Sequence, residues 1–195
     1  SLSNTSWSLA YYKNDYKDFI AYEYLFPPIQ GVLQVQYQNL GSVKTNGIEF
    51  ESKTVFNDNF SASFGVSLNE GREDDGYLDS LSPDHAKISL SWISDSGRLR
   101  WNTISTLMES SRSTLSPVCG RSGVCSPAQE TAGRVTLDTY LNFDLTEKVN
   151  IKFGVRNLTD KKYWDYPTIA GQAAGTADEY LMPGRNMSFS IRYSL

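Results

Sequence analysis

The chain has 195 residues and a formal net charge of −4, enough for one sizeable domain and without the basic footprint of a nucleic-acid binder. Mean hydropathy is −0.41, and no stretch approaches the ~18 consecutive apolar residues of a membrane helix. That excludes membrane helices only, because membrane β-strands alternate in polarity and average out.

Period-two alternation starts at once. Trp7, Leu9 and Tyr11 alternate with Ser6, Ser8 and Ala10, and "KNDYKD" reads as a short turn. Ile20, Tyr22, Tyr24 and Phe26 follow in the same rhythm until the adjacent prolines of "PPIQGVL", which remove ladder donors. A strand from about Val35 to Phe56 is interrupted at "NLGS", where Gly41 suggests a bulge. "NDN" turns the chain into the cleanest run, Phe60, Ala62, Phe64, Val66 and Leu68 against Ser61, Ser63, Gly65, Ser67 and Asn69. After a long polar loop, Ile88, Leu90 and Trp92 make a strand, "SDSG" turns it, and Leu99, Trp101, Thr103 and Leu107 return. A loop from about Glu109 to Gly133 carries both cysteines. Val135 to Phe143, the turn "TEK", Ile151 to Val155, a second long loop, and the run from Met187 to Leu195 complete the pattern. The count is about nine strands with alternately short and long connections, and no amphipathic helix stands out.

One face of each strand is apolar over about nine to eleven residues, which matches a tilted bilayer crossing. The other mixes Ser, Asn and Gly with Glu49, Glu51, Arg98, Arg100, Asp138, Asp144, Lys152, Arg156 and Arg192, suited to a hydrated lumen. A sheet in lipid must pair every backbone group and therefore close. The expected fold class is all-β, an antiparallel transmembrane β-barrel. Tyr11, Tyr16, Trp92 and Trp101 are read as an interfacial girdle beside the short turns. An odd strand count and an opening "SLSNTSW" without Met or a cationic leader suggest a section of a longer chain. Cys119 and Cys125 enclose a short Gly-containing segment. They are read as a disulfide pinning a loop tip, against two separate buried thiols or half of a metal site lacking nearby ligands.

Several segments resemble TonB-dependent outer-membrane receptors, in the right order along nearly the whole chain: "YYKNDYKDFIAY", "QNLGSVKTNGIEFE", "LSPDHAKISLSW", "LNFDLTEKVNIKFGVRNLTDKKYWDY" and "MPGRNMSFSIRYSL". Tyr163-Trp164 and the Pro-Gly-Arg-Asn segment most resemble the haem and haemoglobin receptor branch. The resemblance implies residues 1–195 are the C-terminal section of a roughly 22-stranded barrel, with plug domain and N-terminal strands absent. It implies bacterial outer-membrane localisation and non-enzymatic import of an iron-containing ligand with TonB-supplied energy. The ligand that the resemblance implies is haem or haem from haemoproteins; alternatives are a ferric siderophore, or a passive porin or autotransporter barrel. Implied partners are outer-membrane lipid, the plug and N-terminal strands, TonB through the plug, and a haemoprotein at the extracellular loops. The family's haem-ligating His residues match nothing here, so this segment binds no cofactor or metal itself, and His85 reads as a rim residue. Candidate contacts for ligand or protein partner are the loop aromatics Tyr163, Trp164, Tyr166 and Tyr180; no catalytic constellation stands out. Arg185 is expected to pin the last hairpin.

Overall fold

A computed structural model describes residues 4–29, 32–73, 76–77, 81–111, 118–119, 125–126, 130–169, 175 and 177–195. Its elements in chain order are β1 (Asn4–Tyr16), β2 (Phe19–Ile29), β3 (Val32–Leu40), β4 (Val43–Val55), β5 (Phe60–Glu73), β6 (Gly76–Tyr77), β7 (His85–Ile93) and β8 (Leu99–Met108). Then follow β9 (Val118–Cys119), β10 (Cys125–Ser126), β11 (Arg134–Asp144), β12 (Val149–Arg156), a one-turn helix α1 (Tyr166–Ile169), a 3₁₀ turn (Ala177–Tyr180) and β13 (Asn186–Tyr193). No helix among the described residues is long and apolar enough to cross a membrane.

Nine strands form one antiparallel sheet in the order β1-β4-β5-β7-β8-β11-β12-β13, with β6 on the side of β5. β1 and β13 are its two edges. The number agrees with the expectation, but the strands differ. "KNDYKD" is not a turn: β1 runs through it to Tyr16, and Asn14 Nδ2 donates to Thr45 Oγ1 at 3.1 Å across the ladder. The chain kinks at Lys17-Asp18, where Asp18 has φ 56°, a left-handed conformation that Asp tolerates. It then continues into β2. Tyr16 pairs with Val43 and Phe19 with Leu40, so the register does not slip across the kink. β1–β2 and β3–β4 are thus one long hairpin, whose outer half forms its own two-stranded sheet. The prolines lie within β2, at a register shift between Leu25 and Ile29, as Pro requires in a ladder. The ninth strand is β6, a two-residue extension beside the lengthened β5.

The register decides which face is which. Phe189, Phe153, Leu141, Trp101, Trp92 and Phe60 form a row across six strands. Tyr11, Ile48 and Leu68 form another. Among the described residues only Val43, Val155, Tyr166 and Ile169 are buried hydrophobic side chains, while Trp7, Leu9, Phe189 and Ile191 are more than 60% exposed. A soluble sandwich would hide these residues in a core. Here they cover the outside of a single layer, so the apolar face is the lipid face. Polar groups on it satisfy one another: Trp101 Nε1 donates to Thr139 Oγ1 at 2.8 Å, and the Thr103 and Thr139 hydroxyls lie 3.0 Å apart.

The turns after β4, β7 and β11 are short and share one rim, while the long connections share the other. Trp92 and Trp101, direct register partners, sit beside the short turns as expected. Tyr11 and Tyr16 do not. They lie in the half of β1 nearer the long loops, because the turn that would have placed them at the short rim is absent.

Candidate functional site

The lumen face is small and polar in its centre. Glu51, Gly65 and Lys87 share one row, and Lys53, Ser63 and Ser89 the next. Asn102 Nδ2 donates to Ser89 Oγ at 2.9 Å and Ser91 Oγ at 2.7 Å, a ladder of polar groups across β7 and β8. Toward the short turns, Lys53, Ser61, Ser91, Arg100, Asn102 and Tyr140 line a recess of about 370 Å³. Below it Arg100 pairs with Asp144 at 3.0 Å, and Asn150 Nδ2 donates to Asp144 Oδ1 at 2.6 Å and Asn142 Oδ1 at 2.8 Å. Arg98, expected in the lumen, lies at the turn instead. Its Nε donates to Asp144 O at 2.9 Å, its Nη2 to Leu145 O, and its guanidinium lies 5.9 Å from the Phe143 ring centroid.

Two lumen-face tyrosines lie against glycines paired with them across the ladder. Tyr12 faces Gly47 and Tyr140 faces Gly154. A Cβ on Gly47 would stand 2.5 Å from Tyr12 Oη and 2.6 Å from Leu68 O; one on Gly154 would stand 3.0 Å from Tyr140 Cδ1. Tyr12 Oη donates to Asn69 Oδ1 at 2.7 Å, tying β1 to β5 across β4. This is the physical content of the "TNGIEF" motif: the missing side chain is the bed for an aromatic ring.

At the loop rim, the bases of the long connections are built rather than loose. Asn157 is 4% exposed with φ 49°. Its backbone N donates to Asp138 Oδ1 and its Oδ1 accepts from Lys161 N, both at 2.8 Å, while its Nδ2 donates to Lys161 O at 2.9 Å. Asp160, at φ 53°, accepts at Oδ1 from Arg185 N at 2.8 Å. A Cβ on Gly184 would lie 2.6 Å from that oxygen. "NLTD" and "PGRN" are therefore two halves of one joint, and Arg185 takes part through its backbone. Arg134 makes a second clamp. Its side chain, 7% exposed, reaches Asp165 at 2.8 Å and Trp164 O at 2.9 Å, and its guanidinium lies 4.4 Å from the Tyr163 ring centroid.

The expected contact residues are placed by these joints. Tyr163 and Trp164 are half-buried around Arg134, Tyr166 is 3% exposed at the start of α1, and Tyr180 lies exposed on the 3₁₀ turn. The four share one loop base, but only Tyr180 presents an open surface. His85 stands at the start of β7 with Nδ1 3.3 Å from Pro83 O, a rim position. Cys119 and Cys125 are register partners in the two-residue ladder β9–β10. Among the described residues no three His, Cys, Asp or Glu side chains come together as a metal site.

A single-layer antiparallel sheet whose lipid face carries no charged residue from the short-turn rim up to the row Tyr11–Ile48–Leu68, with a polar lumen face, one rim of short turns and one of long loops, is a section of an outer-membrane β-barrel wall. Residues 1–158 match the family model described as TonB dependent receptor-like, beta-barrel, and the chain belongs to that family, whose members are transport receptors of the bacterial outer membrane rather than enzymes. Solved structures agree in fold at low sequence identity. The copper transporter OprC superposes with a TM-score of 0.78 at 18% identity, covering 98% of this chain and 30% of that one. The pyoverdine receptor FpvA from Pseudomonas aeruginosa PAO1 gives 0.73 at 18% identity, covering 98% and 27%, and the FrpB iron transporter from Neisseria meningitidis gives 0.74 at 17%, covering 97% and 29%. The chain thus spans under a third of the length of these structures. No curated protein matches the sequence.

Proposed function

We propose that this chain is the C-terminal barrel wall of an outer-membrane receptor that imports a metal chelate, a ferric siderophore being the preferred class, with energy supplied through TonB. The observation that carries the reading is the wall itself: a lipid face without charges from the short-turn rim to the row Tyr11–Ile48–Leu68, a polar lumen face and braced loops, in a chain of this receptor family. N-terminal strands of the same receptor would pair with the free edges of β1 and β13 to close a barrel of roughly 22 strands around a plug. The plug would meet the lumen-face charges and carry the contact to TonB.

The siderophore class is preferred to haem for two reasons. Structural neighbours named for their cargo include the pyoverdine receptor and a ferric enterobactin receptor. The residues whose resemblance suggested the haem branch have structural duties here, Tyr163 and Trp164 around Arg134 and the Pro-Gly-Arg-Asn segment on Asp160. A protein partner at the extracellular loops is a further part of this reading; one structural neighbour is an FpvAI–pyocin S2 complex. The direct pairing of positions 119 and 125 supports a disulfide at the cysteine loop, since direct antiparallel partners lie about 4.5–5.5 Å apart at Cα, within the disulfide range.

The test is binding and uptake by the full-length receptor in cells with and without TonB. A panel of ferric siderophores, haem and haemoglobin should yield a siderophore that binds and whose iron enters only when TonB is present. Haem as the sole ligand would move the chain to the haem branch, and TonB-independent entry would favour a passive porin.

A further inference from the structure

The lumen face is not uniform in charge. On β12 and β13 it carries Lys152, Arg156 and Arg192, all exposed and none with an ion-pair partner among the described residues. The carboxylates of this part of the wall, on β11, are Asp138 and Asp144, and both are committed elsewhere. Asp138 lies one step past the register pair Thr139–Val155, beside Arg156, yet its Oδ1 accepts from Asn157 N at 2.8 Å. Asp144 pairs with Arg100 at 3.0 Å and accepts from Asn150 Nδ2 at 2.6 Å. The wall therefore presents three cations with no anion of its own to offer them.

These cations form a column. Arg156 stands next to the Asn157 joint at the loop base, Lys152 lies four residues further toward the short turns, and Arg192 faces Asn150, two residues beyond Lys152. At about 3.4 Å per residue and a tilt near 40°, the descent from Arg156 to Asn150 is roughly 16 Å through the lumen. The lumen-face positions between the cations are short: Gly154, Ser188, Ser190 and Asn150. Lys152 and Arg192 are diagonal neighbours, about 7–8 Å apart at Cα, so they repel unless an anion lies between them. Cations repeated down a hydrated lumen, with short side chains between, hold an anion at several weak sites rather than one strong one. That is the arrangement that lets an anion pass.

We propose that Arg156, Lys152 and Arg192 form a transit lane for an anionic iron chelate, leading down the lumen wall from the loop base to the short-turn rim. The assignment rests on the import reading above and adds the charge class of the cargo. A trianionic ferric tris-catecholate fits the lane, and a neutral ferric tris-hydroxamate gains nothing from it. The column lies below the loop surface where cargo is first met, so it acts on the rate of passage and not on capture.

The experiment follows radiolabelled iron entering cells whose only iron receptor is the full-length protein. The probes are a panel of anionic ferric tris-catecholates and neutral ferric tris-hydroxamates. Surface affinity is read in de-energised cells, and uptake rate at saturating chelate in energised ones. A tris-catecholate should enter, and each of Lys152→Gln, Arg156→Gln and Arg192→Gln should slow its entry about threefold with surface affinity unchanged. Arg192→Lys should keep the wild-type rate, and Lys13→Gln, on the lipid face, should change nothing. Folding of each variant is checked by its heat-modifiable gel migration. Entry of none of the chelates sinks the import reading itself. Entry of tris-hydroxamates alone, or of tris-catecholates at a rate indifferent to the three substitutions, overturns the lane and leaves that reading standing. So does faster hydrogen exchange of the plug in the three variants before any chelate is added, which would mark the cations as plug anchors.

Discussion

Replacing Gly47 by Ala adds one methyl group to a place the fold has filled twice over. The new Cβ would stand 2.5 Å from Tyr12 Oη and 2.6 Å from Leu68 O. The tyrosine can move, at the expense of its 2.7 Å bond to Asn69, worth about 1 kcal/mol. Leu68 O is backbone within the β4–β5 ladder and can yield only by spreading the strands, which brings the overpacking cost of about 1–3 kcal/mol. The sum is about 2–4 kcal/mol. Gly65 on the next strand is the internal control, because a Cβ there meets nothing closer than 3.9 Å. Gly65→Ala should stay within about 0.5 kcal/mol of wild type. Urea unfolding of the detergent-solubilised full-length receptor, followed by heat-modifiable migration, measures both. Tyr12→Ala in the Gly47→Ala background should restore part of the loss and no more, since Leu68 O remains. Equal stabilities for the two alanine variants would contradict this packing at Gly47, as would full rescue by Tyr12→Ala.

Three other expectations concern the loop bases. Asn157→Ala removes a buried side chain with bonds to both Lys161 N and Lys161 O; hydrogen exchange of residues 157–165 should rise at least tenfold, at about 1–1.5 kcal/mol per lost bond. Arg134→Gln and Asp165→Asn should each speed proteolysis of the last long loop, and a double-mutant cycle should show coupling of about 1 kcal/mol or more, because the arginine is nearly buried. A thiol assay on unreduced receptor should find neither Cys119 nor Cys125 reactive; two titratable thiols would exclude the disulfide.

The wall was legible in the sequence where a single force acts on both faces. From Phe60 to Leu68 of β5 and throughout β13 every side chain meets either lipid or lumen, so polarity alternates without error, and Gly65 and Ser190 fit it as readily as Phe64 and Ile191. Legibility fails above the membrane. Lys13 to Asp18 read as a turn because polar residues cluster there, yet a strand standing in water has no apolar face to display. Asn14 and Asp15 remain in the ladder. The same loss of contrast hid β6 and the length of the long hairpin. At the loop bases, "NLTD" and "PGRN" were visible as a family signature, but their meeting at Asp160 was not. Arg134 gave no signal at all: its partner Asp165 is 31 residues away across a loop whose path no local pattern encodes.

Odd positions of β13 face lipid and even positions the lumen. Spin labels placed singly at residues 187 to 193 of the full-length receptor in lipid, read by oxygen and nickel-chelate accessibility, test it directly. Strict alternation is expected, with Met187, Phe189, Ile191 and Tyr193 favouring oxygen and Ser188, Ser190 and Arg192 shielded from it. A uniform profile, or alternation of the opposite phase, would contradict it.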